Sequence, residues 1–467
     1  MEGERQACRR RFAGWCGWCL GLCLVVSFST VVSLQLTDAP SDAGALVLAG
    51  VPSLARIGAY GALAVRAKRV GGVLGRRRLL ACAAAAMSIG ALGATAMPSW
   101  AATLCAVVLN IGFAVLYLGW MELYAQFDTA HVLVFFTLAH FLSALSTFLV
   151  CLIEPFPVVV LATVVMPAVS LLALCRADRR TRKASFRQGE RQRSEWTVSV
   201  RPLVLLAAFG FSNAVIRGFL GVEDRVTVLF GVCVAAACVL VAALARKGML
   251  EIKTLYQMAV PVLVAGALLV LMGYGWSGVA AALCSNAAFT LFSVFVTVVF
   301  CGISYRYGVN AVWMFGITQA SLSAGSFAGK AVSTLGAPLF ADPEVLMATI
   351  AVLVVAFVAL SMVLVSDRDF TTTWGIASLN EEPGALTVLD EEERTARTCA
   401  RVAQRYGLTR REEEVLVLMM RGYTLARIGE ELYVADSTMK THSRHIYRKV
   451  GVGNRNELQE LVAAYGA

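Results

Sequence analysis

The cations between residues 440 and 449 are the side chains whose types and spacing best match a definite chemistry. Lys440, Arg444 and Arg448 follow one another at intervals of four, so a helix would place them on one stripe, and Lys449 adjoins Arg448. A basic helix of this kind fits the major groove of DNA, where its N-terminal half reads base edges and its flanks hold phosphates. The stripe therefore predicts binding to double-stranded DNA.

Helix signals on both sides of this stripe predict a small all-α domain over residues 407–467. The segment Thr409-Arg-Arg-Glu412 is a capping box. The predicted helices are one that ends at Gly422, a second capped by Thr424, a third from Asp436 to Val450 that Gly451 stops, and a fourth from Asn454 to Ala464. Two helices joined by a tight turn, the second one basic, form a helix-turn-helix. The alternative, a basic face that is only solvated, does not account for this surrounding pattern.

These residues resemble, in order and spacing, the LuxR-type DNA-binding domain. The resemblance is carried by Leu408 to Leu416, Gly422, Ile428, Gly429, Leu432, Ser437 to His442, Ile446 to Val452 and Asn454 to Leu458. The chain departs from the family at Ala435, where Ser is usual, and at Gly429, where Ala is usual. The resemblance implies a dimeric domain that binds specific DNA sequences, with RNA polymerase as a further partner.

The resemblance also implies a role for each polar residue of the third helix. The residues expected to read bases are Lys440, Thr441 and Arg444, and those expected to hold the DNA backbone are Ser437, Thr438, His442, His445, Arg448 and Lys449. The fourth helix would form the homodimer, through Leu458, Leu461 and Val462.

The composition of the whole chain excludes a single soluble domain. The chain has 467 residues, of which 58% are hydrophobic and 15% charged, and its mean hydropathy is +0.70. Soluble domains are about 25% charged. A coiled coil and a disordered chain are excluded on the same ground, which leaves a polytopic membrane protein with a soluble C-terminal part.

Twelve apolar runs are long enough to span a bilayer, which needs roughly 20 residues. They lie at about 13–35, 44–65, 79–96, 101–121, 131–153, 157–175, 202–220, 226–245, 255–275, 279–303, 311–335 and 345–366. Basic residues cluster before the first run and in the loops at 66–78, 176–201 and 246–253. Loops of the other parity are mostly acidic, so the positive-inside rule predicts a multi-pass protein of the cytoplasmic (inner) membrane with both termini in the cytoplasm.

The long basic loop falls between the sixth and seventh runs. This six-plus-six division resembles the major facilitator architecture, which has two related halves and a site near the midplane. The loop at 66–78 resembles the facilitator loop signature in position and basicity, although it lacks the Asp. The whole layout resembles membrane-embedded LuxR-type regulators. The expected domains are a transmembrane sensor domain at 1–366, a linker with a short charged helix at 367–406, and the DNA-binding domain at 407–467.

Polar residues inside the predicted spans are candidates for a ligand site, because ionisable groups are costly there. The candidates are Arg56, Asn110, His140, Gln319 and Lys330. Arg56 and Lys330 suit an anionic or phenolate-like small-molecule inducer. The alternatives are structural: Lys330 extends to the membrane surface, Arg56 bonds to helix-end carbonyls, and His140 is a packing residue.

No motif predicts catalysis, a cofactor or a metal site. The sequence has no activated nucleophile, phosphate loop or paired catalytic carboxylates, and His442 and His445 lie within the predicted DNA helix. The predicted spans also lack a mid-membrane carboxylate, which argues against proton antiport. Three hypotheses stay open: a membrane-bound sensor and transcription regulator, a transporter with a regulatory DNA-binding domain, and a regulator for which the bundle is only an anchor.

Overall fold

The fold is described from a computed structural model of the full chain. The described residues are 20–36, 43–70, 72–127, 129–152, 156–183, 200–220, 225–245, 252–272, 275–307, 309–340, 342–364, 398–420, 425, 428–429, 432 and 436–466. Every regular element in these ranges is helical, which confirms the predicted all-α class. The chain divides into two compact units, a large helical bundle and a small C-terminal unit.

Twelve helices of the bundle lie in the described ranges. They are α1 (Leu22–Leu36), α2 (Ala43–Val70), α3 (Arg77–Ala96), α4 (Ser99–Tyr124), α5 (Thr129–Leu152), α6 (Phe156–Lys183), α7 (Val200–Leu220), α8 (Arg225–Ala245), α9 (Ile252–Val270), α10 (Gly275–Tyr307), α11 (Ala311–Leu335) and α12 (Pro343–Leu364). Each corresponds to one predicted run. The second and sixth predicted runs end too early, at 65 and 175. The helices α2 and α6 continue beyond these positions through basic residues that no helix breaker interrupts.

Seven of these helices are long and apolar enough to cross a membrane. They are Arg77–Ala96, Trp100–Tyr124, Thr129–Val150, Arg201–Phe219, Thr254–Leu271, Trp276–Tyr305 and Glu344–Ser361. Helix α11 is not among them, since Gln319, Lys330 and several serines lower its hydropathy. The bundle is therefore suited to a membrane, while the number of twelve spans stays a prediction.

Small residues bring α7 and α11 into backbone contact. A Cβ on Gly325 would overlap the carbonyl group of Ala207, and a Cβ on Gly210 would overlap the carbonyl oxygen of Leu322. Close approach of this kind is how helices associate in lipid, where apolar burial supplies little driving force between helices.

An antiparallel pair, α2 and α11, joins the first half of the bundle (α1–α6) to the second half (α7–α12). At one end, the Asn310 side chain caps α11 by accepting from the backbone N–H of Trp313 at 3.1 Å, and it donates to the Ala67 carbonyl at 3.2 Å. In the middle, Gly316 lies against Tyr60 and Ala64. Towards the other end, Gly50 faces the ring of Phe327.

A carboxylate fixes the basic loop between α2 and α3. The Glu122 side chain, from α4, accepts hydrogen bonds from the backbone N–H groups of Val73 at 2.7 Å and Leu74 at 2.8 Å. Gly72 leaves room for this carboxylate, since a Cβ there would overlap it. The loop lacks an acidic residue of its own, and a neighbouring helix supplies one.

The small unit contains α13 (Arg410–Met420), α14 (Asp436–Val450) and α15 (Arg455–Gly466), preceded by a helical segment at 398–406. The bounds of α14 confirm the predicted third helix. Gly407 and Gly451 follow helix ends with φ of 62° and 82°, the left-handed conformation that glycine adopts without strain. The predicted linker at 367–397, the cap at Thr424 and the turn before Asp436 lie outside the described residues.

The α7–α11 contact gives a first prediction. We expect Gly325→Ala to lower the free energy of unfolding by about 1–3 kcal/mol, because the new methyl group overpacks against the α7 backbone. The matched control is Gly58→Ala on α2, where an added Cβ meets nothing within 4 Å. Thermal unfolding of both variants in detergent measures the difference, and equal stability would show that α7 and α11 do not touch at Gly325.

Candidate functional sites

The outer face of α14 carries the predicted DNA-binding residues. Its exposed residues are Thr438, Lys440, Thr441, Arg444 and Arg448, and its half-buried polar residues are His442, His445 and Lys449. The side chain of Ser437 lies outside the described set. The structure therefore brings Lys440, Arg444 and Arg448 to one exposed stripe, as the spacing predicts.

The opposite face of α14 holds this stripe in place. Met439, Ile446 and Val450 are buried and belong to a core that includes Val415 and Leu416 of α13. Because the buried and exposed positions alternate with helical spacing, packing of the apolar face turns the cations towards solvent.

Lys449 differs from the other cations because its ammonium group has partners within the unit. Its Nζ donates to Oε2 of Glu412 at 2.6 Å and to the carbonyl oxygen of Gly407 at 3.2 Å. The Lys449 side chain is 30% exposed. The sequence predicts a contact with the DNA backbone for this residue, whereas the structure shows a bridge from α14 to the start of α13.

Glu412 is the centre of this bridge and completes the predicted capping box. Its Oε2 accepts from the Thr409 backbone N–H at 2.7 Å, and its own N–H donates to Oγ1 of Thr409 at 3.3 Å. Burial raises the pKa of Glu412, but the hydrogen bonds from Lys449 and Thr409 together outweigh this effect. The pKa of Glu412 therefore lies below its ordinary value. Nδ1 of His445 also lies 3.8 Å from Oε1 of this carboxylate.

Two of the three predicted dimer residues on α15 are buried in their own unit. Leu458 and Val462 are 0% and 6% exposed and lie in the core of their own unit, with Leu461 packed beside them. The apolar stripe of α15 is therefore used for folding, and the Leu458 and Val462 side chains are not available to a partner. A dimer contact through α15 would use Leu461, which is half-buried, and outward residues such as Gln459 and Glu460, which are exposed.

In the bundle, two of the predicted ligand residues lie on α2 and α11. Nε of Arg56 is buried without a hydrogen-bond partner. Nε2 of Gln319 donates to the hydroxyl of Tyr117, on α4, at 3.1 Å. Tyr117 also contacts Tyr60, with ring centroids 6.5 Å apart. Sequence reasoning missed both tyrosines, although Tyr60 follows Arg56 at helical spacing.

The other three predicted ligand residues do not join this group through their described contacts. The Asn110 side chain donates to the Ala106 carbonyl at 2.8 Å, and Nδ1 of His140 lies 3.0 Å from the Phe136 carbonyl, each within its own helix. Lys330 is exposed and lies eleven residues after Gln319, about 16 Å along α11. These positions fit the structural alternatives.

Comparison with known sequences identifies the C-terminal domain. Residues 407–462 match the profile described as "Bacterial regulatory proteins, luxR family". HTH-type transcriptional regulator MalT of Yersinia pestis (strain Pestoides F) is 50% identical over 50 residues, which are 11% of this chain and 6% of MalT. MalT of Serratia proteamaculans (strain 568) gives the same identity and coverage. The chain thus spans only 6% of the length of these curated relatives.

Comparison with solved structures shows the fold of the bundle. FucP, a major facilitator superfamily transporter solved in the outward conformation, matches with a TM-score of 0.50 and 11% identity, over 76% of this chain and 99% of FucP. A bacterial homologue of the iron transporter ferroportin, in an outward-facing state, matches with a TM-score of 0.52 and 10% identity, over 74% of this chain and 99% of the homologue. The bundle therefore has a major-facilitator-like fold.

The Glu412 bridge gives a second prediction. Since the folded pKa of Glu412 is depressed, its stabilising contribution is complete above the ordinary value of 4.5 and is lost as the pH falls from there through the folded pKa. We expect the protection of α13 and α14 amides in hydrogen exchange, corrected for intrinsic rates, to fall over this acidic range. Glu412→Gln should remove this pH dependence and Glu413→Gln should keep it. An unchanged profile in Glu412→Gln would contradict the role of the bridge.

Proposed function

We propose that this protein is a membrane-bound transcription regulator that binds promoter DNA through α14 and senses a small molecule through its bundle. The exposed stripe of Lys440, Arg444 and Arg448 on a luxR-family domain carries the proposal. Both termini lie in the cytoplasm in this proposal, because the DNA-binding domain must reach DNA and the basic loops favour the cytoplasmic side.

The separation of α14 into an exposed polar face and a buried apolar face supports its role as the recognition helix. In helix-turn-helix proteins this helix lies in the major groove, with N-terminal residues on bases and later residues on phosphates. Lys440, Thr441 and Arg444, which are exposed, would read bases, and Thr438, His442 and Arg448 would flank them along the helix. The domain would act as a homodimer on paired half-sites, with RNA polymerase as a further partner.

The charges of the bundle support sensing more than pumping. In the described part of the bundle, the acidic residues are Glu122, Asp178, Asp342 and Glu344, and each lies at or near a helix end. A proton-coupled transporter usually needs a carboxylate at depth. Arg56, in the middle of α2, instead offers a fixed cation for a ligand. Ligand binding would shift the bundle between two states and so alter DNA binding.

A second candidate function, transport with a regulatory domain, is favoured by the major-facilitator-like fold. Accumulation of a candidate inducer in proteoliposomes would distinguish it from sensing, because a sensor binds its ligand without net transfer. An anchor-only bundle is the third alternative.

The α14 assignment gives a third prediction. We expect Lys440→Ala or Arg444→Ala to reduce discrimination between promoter and unrelated DNA by about 1–3 kcal/mol each, because a base contact is lost. Arg448→Ala should weaken binding to all sequences alike and reduce the salt slope by about one ion. Arg405→Ala, at an exposed arginine outside α14, is the matched control. Binding titrations of the full chain at several salt concentrations measure these effects, and unaltered discrimination in all variants would refute the assignment.

Exchange of the bundle gives a fourth prediction. A chimera in which an unrelated membrane anchor replaces residues 1–366 should still occupy its promoter but should lose the transcriptional response to inducer. Comparison of transcriptomes with and without a panel of small anionic and phenolic compounds measures that response. If the chimera keeps the response of the wild type, the bundle is only an anchor.

A further inference from the structure

We propose that the seam between α2, α4 and α11 binds the oxyanion of a small organic acid, with Arg56 as the cation that receives it. The biological purpose of this site rests on the sensing role proposed above. The binding itself does not, because it involves only the bundle and is measured without DNA.

The position of Arg56 follows from the packed face of α2. Tyr60, Ala64 and Ala67 are 2%, 1% and 4% exposed, and they are spaced by four and three residues. Arg56 lies four residues before Tyr60, so it extends the same face by one turn. This face, rather than the lipid-exposed one that carries Val51 and Leu54, lies against α11 and α4.

The guanidinium group of Arg56 is incompletely satisfied within the protein. Its Nε is buried and has no hydrogen-bond partner. Arginine keeps its charge at any accessible pH, so burial cannot be relieved by loss of a proton. This donor is open to a ligand, and a buried donor without a partner costs free energy.

No carboxylate in the described part of the bundle lies near the middle of α2. Glu122 bonds to the loop after α2, and Val70, at the end of α2, is about 21 Å from Arg56 along the helix axis. Asp342 and Glu344 lie at the start of α12, beyond the far end of α11, and Asp178 lies near the end of α6. The counter-charge for Arg56 is therefore expected from outside the protein chain.

Further donors lie at the same depth as Arg56. Three contacts set the antiparallel register of α2 and α11: Ala67 with Asn310, Tyr60 with Gly316, and Gly50 with Phe327. This register places Arg56 level with the turn of α11 at 319–321. The Tyr117 oxygen accepts from Gln319, so its hydroxyl proton is left for another acceptor. A guanidinium group and a hydroxyl at the same depth of one seam are suited to an oxyanion.

Aromatic rings next to these donors favour an organic acid over an inorganic ion. Tyr117 stacks on Phe113 with ring centroids 5.8 Å apart, and its edge contacts Tyr60. Ligand sites are commonly apolar, with a few polar groups that fix orientation. The acid group would therefore bind Arg56 and Tyr117, with an apolar body against the rings.

The test uses the full chain in nanodiscs, with benzoate as the probe and benzamide as its uncharged counterpart of the same shape. We expect benzoate, and not benzamide, to raise the unfolding temperature. Arg56→Gln should weaken benzoate binding about ten- to hundredfold, and Tyr117→Phe should weaken it less. Arg66→Gln is the matched control, since Arg66 is an exposed arginine on the same helix.

A second measurement separates a binding cation from a structural one. Without ligand, Arg56→Gln should be at least as stable as the wild type, because the variant no longer buries an incompletely paired charge. A loss of stability in that variant would overturn the proposal, as would equal benzoate effects in wild type and Arg56→Gln, or no benzoate effect in the wild type. None of these outcomes would count against DNA binding by α14. Benzoate binding that leaves promoter occupancy unchanged would instead keep the site and count against sensing.

Discussion

The antiparallel contact between α2 and α11 is the interaction on which the rest of the bundle depends. It joins the two halves of the bundle through the Asn310 amide, which caps α11 and also binds the end of α2. It joins them again at Gly316, where the absence of a side chain admits the backbone of α2. Since lipid offers no hydrogen bonds, such polar contacts between helices carry much of the specificity. The same pair sets the depth of Arg56 on α2 and of Gln319, which binds Tyr117, on α11.

The small unit depends on a comparable arrangement, in which one buried carboxylate holds two helices. Glu412 caps α13 and binds Lys449 of α14, so α14 is fixed to the start of α13. The core beneath it includes α15. The exposed cations of α14 are thus presented by a scaffold in which the Glu412 carboxylate is already paired with Lys449.

Local features were predictable from the sequence, and long-range ones were not. The bounds of α14 and the Thr409–Glu412 capping box depend on residues within one or two helical turns, and both are confirmed. The Gln319–Tyr117 bond joins residues 202 positions apart, so no local pattern could show it. The stripe with Leu458 and Val462 shows why a local pattern does not assign these side chains to a dimer contact, because an apolar face has the same spacing whether it packs on its own core or on a partner.

The glycine contacts between α7 and α11 limit how the bundle can change shape. Because the backbones touch at Gly210 and Gly325, we expect that these two helices do not slide or rotate past each other and move together. A transition between states must then hinge at seams with side-chain contacts. The α2–α11 seam has a backbone contact at Gly316 and side-chain contacts on either side of it, so an anion at Arg56 would lie beside that pivot and bias its angle directly.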